Sequence, residues 1–149
     1  FSTSSSAATI PVTLKTVTDD LGVKKDVSSF VIPVGATINM DGTAIMQGLA
    51  TMFIASTAGV DLSMVEYMQI VLLAMVASIG AAAVPSAGTI TLALILSSLG
   101  LPLDAIGLIL AVDRILDMIR TSVNVTGDSA VACIVANSEN LLDREIFNK

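Results

Sequence analysis

The sequence predicts an all-α membrane protein, and three observations lead to this prediction. Of its 149 residues, 54% are apolar and 13% are charged, and the mean hydropathy is +0.86. Soluble domains carry about 25% charged residues. Apart from Tyr67, residues 27–60 and 67–103 contain one ionisable side chain, Asp41. Both blocks exceed the ~20 residues that span a bilayer core, so an Ala-rich soluble domain is the weaker interpretation.

Composition also excludes several functions. The net charge of −6 leaves no basic patch for nucleic acid. One cysteine and no histidine exclude a disulfide framework and the common zinc signatures. The chain opens on "FSTSSSAATIPVT" without an initiator Met or a signal peptide. We therefore expect it to be the C-terminal part of a longer chain.

The first elements are a Ser-rich arm and an interrupted apolar segment. Residues 1–14 read as the tip and returning arm of a hairpin, and residues 15–29 as a polar loop that leads into the next helix. Residues 30–60 are long enough to span, but "GATINMDGT" interrupts them. A broken membrane helix is tolerated only where its backbone lines a cavity or is buried in protein.

The next apolar block, residues 66–101, predicts a re-entrant hairpin. Two apolar halves flank "GAAAVPSAG", with the turn at residues 84–86. As one helix its 36 residues would measure about 54 Å, too long for a ~30 Å core. A single spanning helix kinked at Pro85 is the alternative. With a hairpin here, every Lys and Arg that is not part of the Asp113–Asp128 stretch lies on the same side of the membrane, the cytoplasmic side.

The last block, residues 102–137, predicts an amphipathic helix, followed by a cytoplasmic tail over residues 138–149. At 100° per residue, the polar side chains of "DRILDMIRTSVNVTGD" fall within a sector of about 100°. They are Asp113, Asp117, Arg120, Thr121, Asn124 and Asp128. Inserting an ionisable residue into a membrane costs about 2.5–3.5 kcal/mol, so such residues are first interpreted as functional. Ion pairs of Arg120 with Asp113 or Asp117 that only hold helices together are the structural alternative.

The polar face suits a zwitterion and a hard cation. Arg120 can take a carboxylate through its planar fork, and Asp117 can take an ammonium. Oxygen donors without His or Cys favour a monovalent ion such as Na⁺. The candidates for that ion are Asn39, Asp41, Asn124 and Asp128.

Four motifs in order resemble the dicarboxylate/amino acid:cation symporter family of glutamate and aspartate transporters. They are "SSSAATIPVT", "GATINMDGT", "ASIGAAAVPSAG" and "RILDMIRTSVNVTGD", and they cover essentially the whole chain. The resemblance implies a homotrimer in the cell membrane with elevator-type transport domains. It implies that this chain is half of a transport domain: the second arm of hairpin 1, a broken helix 7, re-entrant hairpin 2 and amphipathic helix 8. The N-terminal part of the transporter would be its partner.

The resemblance also implies site residues. Those expected to bind substrate are Ser5, Ser6, Thr43, Val84, Gly88, Asp117, Arg120, Thr121 and Asn124. One sodium site would use Gly35, Asn39, Asn124 and Asp128. A second would use Thr37 and Met40 with backbone of Ser78, Ile79 and Ala81, and a third Asn39 and Asp41. No other cofactor is implied.

Departures from the family pattern refine this expectation. Neutral amino acid relatives lack an arginine at the position of Arg120, so its presence favours L-aspartate or L-glutamate. Animal relatives carry a glutamate, tied to proton and potassium coupling, where Gln47 stands. Ser4 and Met118 stand where relatives carry an auxiliary arginine, and we expect Arg114, poised near Asp113, to take that role.

Several alternative functions stay open at this point. A proton-coupled glutamate symporter or a C4-dicarboxylate symporter of the same family is the nearest, although Asp117 would repel a substrate that has no amine. An intramembrane enzyme built on Asp113 and Asp117 is remote, because Arg120 would hold both carboxylates ionised. An ion channel would leave the Asp117–Arg120 pair without a role.

Overall fold

A computed structural model of the protein describes residues 1–81, 83 and 85–149, and within these ranges every regular element is helical. The helices are α1 (Ser6–Asp19), α2 (Lys25–Ile38), α3 (Asp41–Thr57), α4 (Met64–Ile79), α5 (Ala87–Ser98), a 3₁₀ turn (Leu103–Ala105), α6 (Ile106–Leu110), α7 (Asp113–Ser138) and α8 (Arg144–Phe147). The all-α prediction is confirmed. Of the helices that the structure describes, none combines the length and apolar character that a membrane crossing requires.

The long helix α7 organises the fold. It packs against α1, α2 and α3, and α3 in turn packs against α4 and α5. One apolar cluster joins α3, α5 and α6 through residues such as Ile54, Leu92 and Ile109. A second joins α1, α2 and the C-terminal half of α7, with Val17 and Ala132 fully buried. The polar residues of α7 lie along the helix between these two clusters.

The predicted interruption of residues 30–60 falls between α2 and α3. The backbone leaves the helical region at Asn39 (ψ 69°) and Met40 (ψ 56°), and α3 restarts at Asp41. Gly42 then allows α3 to approach α7 closely, because a Cβ at this position would lie 2.6 Å from the Arg120 carbonyl oxygen. The break therefore places a helix end against the polar face of α7.

Two helices, α4 and α5, occupy the block predicted as a hairpin, and they contact each other. A capping box starts α4: Glu66 Oε2 accepts the Ser63 N–H at 2.7 Å, and Ser63 Oγ accepts the Glu66 N–H at 3.4 Å. At 1.5 Å per residue, α4 and α5 measure about 24 and 18 Å. Both are shorter than a ~30 Å bilayer core.

Two predicted boundaries differ from the structure. Helix α1 continues past residue 14 to Asp19, because Thr13 and Val17, one turn apart, are both buried and keep the helix packed. The block at 102–137 is divided, because Val112 (φ −117°, ψ 1°) departs from helical geometry and its N–H donates to the Ile109 carbonyl. Asp113 consequently stands in the first turn of α7.

The C-terminal segment returns to the connection between α1 and α2. Val23 and Leu142 form an isolated antiparallel bridge, beside which the Asp143 N–H donates to the Gly22 carbonyl at 2.8 Å. Gly22 has a φ of +71°, and a Cβ there would lie 2.5 Å from the Asp143 carbonyl oxygen. Only glycine satisfies both conditions without strain.

Candidate functional site

The polar face of α7 is turned into the protein. Its members are Asp113, Asp117, Arg120, Thr121, Asn124 and Asp128, each at most 6% exposed. Ile115 and Ile119 on the opposite face are 61% and 51% exposed. Burying this many polar groups is costly unless each finds a partner. Asp117 and Arg120 pair with each other, and the other partners lie at the end of α2 and at the starts of α3 and α5.

An ion pair joins Asp117 and Arg120 at the centre of this face. Oδ1 of Asp117 contacts Nη2 of Arg120, and Oδ2 accepts the backbone N–H of Ser86 at 2.8 Å. Asp117 is 1% exposed and Arg120 is 6% exposed. Among the described residues, the second guanidinium nitrogen, Nη1, has no acceptor. The pair therefore retains a donor for a further anion.

Gly88 lies directly against the guanidinium of Arg120. A Cβ at residue 88 would collide with Nη1, so a larger residue would displace the arginine. Gln47, fully buried on α3, donates to the Gly88 carbonyl at 3.4 Å and to Thr91 Oγ1. Gln47 thus fixes the start of α5 from the side of α3.

The start of α5 is also bound to Asp113, one turn before Asp117. Asp113 Oδ2 accepts the Ser86 hydroxyl at 2.8 Å, and Oδ1 accepts the Thr89 hydroxyl at 2.8 Å. Sequence reasoning identifies neither Ser86 nor Thr89 as a site residue. Short hydroxyl side chains carry no distinguishing sequence signal, and only the position of Ser86 after Pro85 in the expected turn could have drawn attention to it.

A small cavity separates the N-terminal arm, α3, α5 and α7. Its lining comprises Ser4, Ser5, Ser6, Met40, Thr43, Ala81, Ala83, Gly88, Arg120, Thr121 and Asn124. The cavity leaves ≈ 10 Å³ for the centre of a water molecule, which is room for about one water. Most of the predicted substrate-binding residues therefore line one small cavity.

The two predicted hairpin tips meet at this cavity. Ser5 Oγ donates to the Ala83 carbonyl at 2.8 Å and accepts the Ala8 N–H at 3.1 Å as the N-cap of α1. The neighbouring Ser4 is 1% exposed, has a φ of +50°, and its hydroxyl has no partner among the described residues. Val84, expected to offer backbone groups here, lies outside the described residues.

Asn124 connects α7 to the restart of the interrupted helix. Its Oδ1 accepts the Gly42 N–H at 2.8 Å, and its Nδ2 donates to Thr43 Oγ1 at 3.3 Å. The first N–H groups of a helix lack intrahelical partners. The side chain of Asn124, 82 positions further along the chain, accepts the N–H of Gly42.

The residues predicted for the first sodium site are partly assembled. Asn39 Nδ2 donates to Asp128 Oδ1 at 3.1 Å, and a Cβ on Gly35 would lie 2.5 Å from the same oxygen. Asn124, the fourth expected ligand, uses its side-chain oxygen on Gly42 instead. Gly35, Asn39 and Asp128 therefore meet, and their oxygens are the donors that a hard cation prefers.

The other two predicted ion sites are less complete. Met40 and Ala81 pack together with Ala83, and Ser78 is buried. Thr37 is exposed and its hydroxyl donates to the Val34 carbonyl, and the side chain of Ile79 is 52% exposed. Asp41 is exposed, and a Cβ on Gly127 would lie 3.3 Å from its Oδ2.

Arg114, the residue expected to act as an auxiliary cation near Asp113, lies on the surface. Its side chain is exposed, whereas Asp113 is buried, and the ion pair found among the described residues is that of Arg120 with Asp117. Adjacent positions on a helix diverge by 100°, so residue 114 points away when residue 113 points inward. Asp113 accepts hydrogen bonds from the hydroxyls of Ser86 and Thr89, and the auxiliary role of Arg114 stays a prediction.

Interrupted helices at the binding site are typical of secondary transporters, and the break between α2 and α3 lies against the polar face of α7. Comparison with known proteins agrees: the sodium:dicarboxylate symporter family matches residues 1–138. The chain belongs to this family, which places it among membrane transport proteins and not among enzymes.

Curated relatives are similar over most of the chain. Excitatory amino acid transporter 2 of Mus musculus is 54% identical over 133 residues, 89% of this chain and 23% of that protein. Excitatory amino acid transporter 1 of Rattus norvegicus is 50% identical over 147 residues, 99% of this chain and 26% of that protein. A Caenorhabditis elegans excitatory amino acid transporter is 53% identical over 133 residues, 89% of this chain and 26% of that protein. The chain spans about a quarter of the length of these relatives.

Proposed function

We propose that the full-length protein is a secondary active symporter that imports L-aspartate or L-glutamate together with Na⁺. The observation that carries the proposal is the buried Asp117–Arg120 pair beside this small cavity. A buried ion pair contributes little net stability. A site that must hold a zwitterion with an extra carboxylate, however, needs one anion and one cation side by side.

In this proposal the ligand takes over contacts that the protein now makes with itself. Arg120 would turn its fork from Asp117 to the distal carboxylate of the substrate. Asp117 would accept the substrate ammonium, and hydroxyls of Ser5, Ser6 and Thr43 would surround the rest. Because the cavity has room for about one water, the start of α5 must move to admit an amino acid. This movement is the role we assign to re-entrant hairpin 2.

Sodium coupling is supported by the donors around Asp128. This carboxylate is 1% exposed and contacts Asn39 at the end of α2, where the last carbonyls lack intrahelical donors. Carboxylate, amide and carbonyl oxygens without nitrogen or sulfur suit a hard cation. Because the chain offers no titratable group at Gln47, we propose Na⁺ and not H⁺ as the coupling ion.

The setting we propose is a membrane homotrimer with elevator-type transport domains. Large apolar side chains cover the outside of the chain; Phe30, Ile90 and Ile134 are 70%, 72% and 68% exposed. Exposed apolar surface of this kind contacts lipid or another protein. The rest of the full-length chain and membrane lipid are the proposed partners of this surface.

Uptake by the full-length protein in vesicles tests the proposal. Labelled L-aspartate and L-glutamate are offered under an inward Na⁺ gradient, and then under a proton gradient without Na⁺. We expect uptake with Na⁺ only. Asp128→Asn should weaken the Na⁺ dependence, whereas Asp104→Asn, an exposed aspartate outside α7, is the control. Uptake driven by protons alone would overturn the ion assignment, and no uptake under either gradient would overturn the substrate.

A C4-dicarboxylate symporter is the second candidate, because the matching family is described by dicarboxylates. The two substrates differ in one group, the amine that Asp117 would bind. Replacing Asp117 by Ala should abolish aspartate uptake if the amine is recognised there. Succinate uptake by the wild-type protein that persists or improves in this variant would favour the second candidate.

A further inference from the structure

The start of α5 is held by two carboxylates of α7 that differ in their surroundings. Asp117 binds the Ser86 N–H and also pairs with Arg120, a residue of the cavity wall. Asp113 binds only hydroxyls, those of Ser86 and Thr89, among the residues that the structure describes. It is 6% exposed and is not among the residues that line the cavity.

We propose that Asp113 is a positioning residue that anchors the start of α5 to α7 through Ser86 and Thr89, independently of the ligand. The Asp117 contact to the same Ser86 is, by contrast, exchangeable when a ligand amine takes Asp117. The exchange of the Asp117 contact rests on the proposed function, whereas the anchor at Asp113 does not.

The hydrogen bond from Ser86 to Asp113 takes the place of the usual N-cap hydrogen bond of α5. Ser86 is the N-cap of α5, a position where a serine hydroxyl ordinarily accepts an N–H of its own helix. Here it makes no such bond and donates to Asp113 Oδ2 instead. Its backbone is left-handed, with a φ of 60°. Non-glycine residues persist in this conformation when surrounding contacts impose it.

The charge of Asp113 adds to the anchor. Its two hydrogen bonds are charge-assisted, and these are about twice as strong as bonds between neutral groups. The carboxylate also lies against residues 86 and 89 at the N-terminal end of α5, where the helix dipole favours an anion. Both oxygens are engaged by the protein, one by each hydroxyl. Each oxygen of Asp113 therefore has a protein partner before any ligand arrives.

Hydrogen exchange on the full-length protein in detergent, without Na⁺ or substrate, tests the anchor. The readout is the exchange rate of amides in a peptide that covers residues 86–92. Thr89→Val removes one hydroxyl at nearly constant volume, and Asp113→Asn removes the charge. Loss of a hydrogen bond to a charged group should speed this exchange about 10- to 100-fold. Thr89→Ser keeps the hydroxyl and should restore the slow rate.

Two controls separate an anchor from general destabilisation. Ser98→Ala removes an exposed hydroxyl of the same helix that bonds to the Leu94 carbonyl, and it should leave the rate unchanged. A peptide from α2 should exchange at the same rate in every variant. Faster exchange throughout the chain in the Asp113 and Thr89 variants would show a purely structural role and overturn the proposal.

A double-mutant cycle then tests the partnership itself. If Ser86 acts through Asp113, Ser86→Ala should have little further effect once residue 113 is Asn. Additive effects, or an unchanged rate in both single variants, would overturn the anchor. Adding L-aspartate with Na⁺ separates the two proposals. If the variants exchange faster but aspartate does not protect the wild-type protein, the anchor stands and the proposed substrate is overturned. If aspartate protects the wild-type protein but the variants exchange at the wild-type rate, the anchor is overturned and the proposed substrate stands.

Discussion

Asp117 and Arg120 stand one helical turn apart on α7, and the ion pair between them leaves one oxygen of Asp117 on the Ser86 N–H. The two charges of the site therefore pair with each other in this structure. In the proposed function, a zwitterionic ligand would replace these contacts.

Arg120→Met should abolish recognition of acidic amino acids. The variant removes the cation that faces the cavity and leaves Asp117 buried without its partner, and truncating one member of such a pair costs 2–5 kcal/mol or more. We expect binding of L-aspartate to weaken at least ~100-fold by isothermal titration. Lys15→Met, which removes an exposed cation on α1, is the matched control. Aspartate affinity that survives in Arg120→Met would place the distal carboxylate elsewhere.

Gly35→Ala should weaken Na⁺ binding, because the new Cβ would lie 2.5 Å from Asp128 Oδ1 and force the carboxylate to move. Displacing a group that orients a metal ligand typically costs 10- to 100-fold in affinity, and we expect about 10-fold here. Gly48→Ala on α3 is the control, since nothing lies within 4 Å of its Cβ position. The measurement is Na⁺-dependent aspartate binding; equal Na⁺ dependence in both variants would contradict the assignment of Asp128.

Gly22→Ala should destabilise the protein more than Gly100→Ala. Both glycines have left-handed backbones, with φ of +71° and +67°, and alanine there costs about 1–2 kcal/mol. At Gly22 the added Cβ also meets the Asp143 carbonyl at 2.5 Å, whereas nothing lies within 4 Å at Gly100. Thermal unfolding of the two variants should differ, with Gly22→Ala melting first. Identical melting temperatures would mean that the C-terminal bridge carries no stability.

Ser63→Ala should loosen the first turn of α4, because it removes the capping box with Glu66. Loss of an N-cap serine costs about 1 kcal/mol. We expect amide exchange at residues 64–67 to accelerate about fivefold. Ser97→Ala, on the exposed surface at the end of α5, should leave these amides unaffected. A capping contribution is refuted if both variants exchange alike.

The orientation of α7 could be predicted from its sequence, whereas the partners of its side chains could not. The spacing of Asp117, Arg120 and Asn124 shows which face of α7 is polar, since residues three or four positions apart lie on the same face of a helix. Nothing in that spacing identifies Ser86 or Thr89 as the groups that meet Asp113. Such contacts depend on how α5 is placed by packing on α3 and α4.

The differences at other positions have the same origin. The break at Asn39 and Met40 is visible as a polar, Gly-containing insert, but the bend at Val112 lies within an apolar run and has no such signal. The expectation for Arg114 rests on its nearness in sequence to Asp113, and helical geometry sends neighbours to different faces. Thr37 and the backbone of Ile79 are expected to bind an ion only through the resemblance, and these roles stay predictions.

The polar face of α7 has a consequence for biosynthesis. A ribosome completes α7 after α1 to α5, so the hydroxyls of Ser86 and Thr89 and the amide of Gly42 are made before the carboxylates and Asn124 that they contact. A helix with this many ionisable groups enters an apolar environment at high cost when alone. Its insertion is therefore expected to await the helices that precede it, so that a translation arrest before Asp113 would leave an apolar intermediate with its polar contacts unmade.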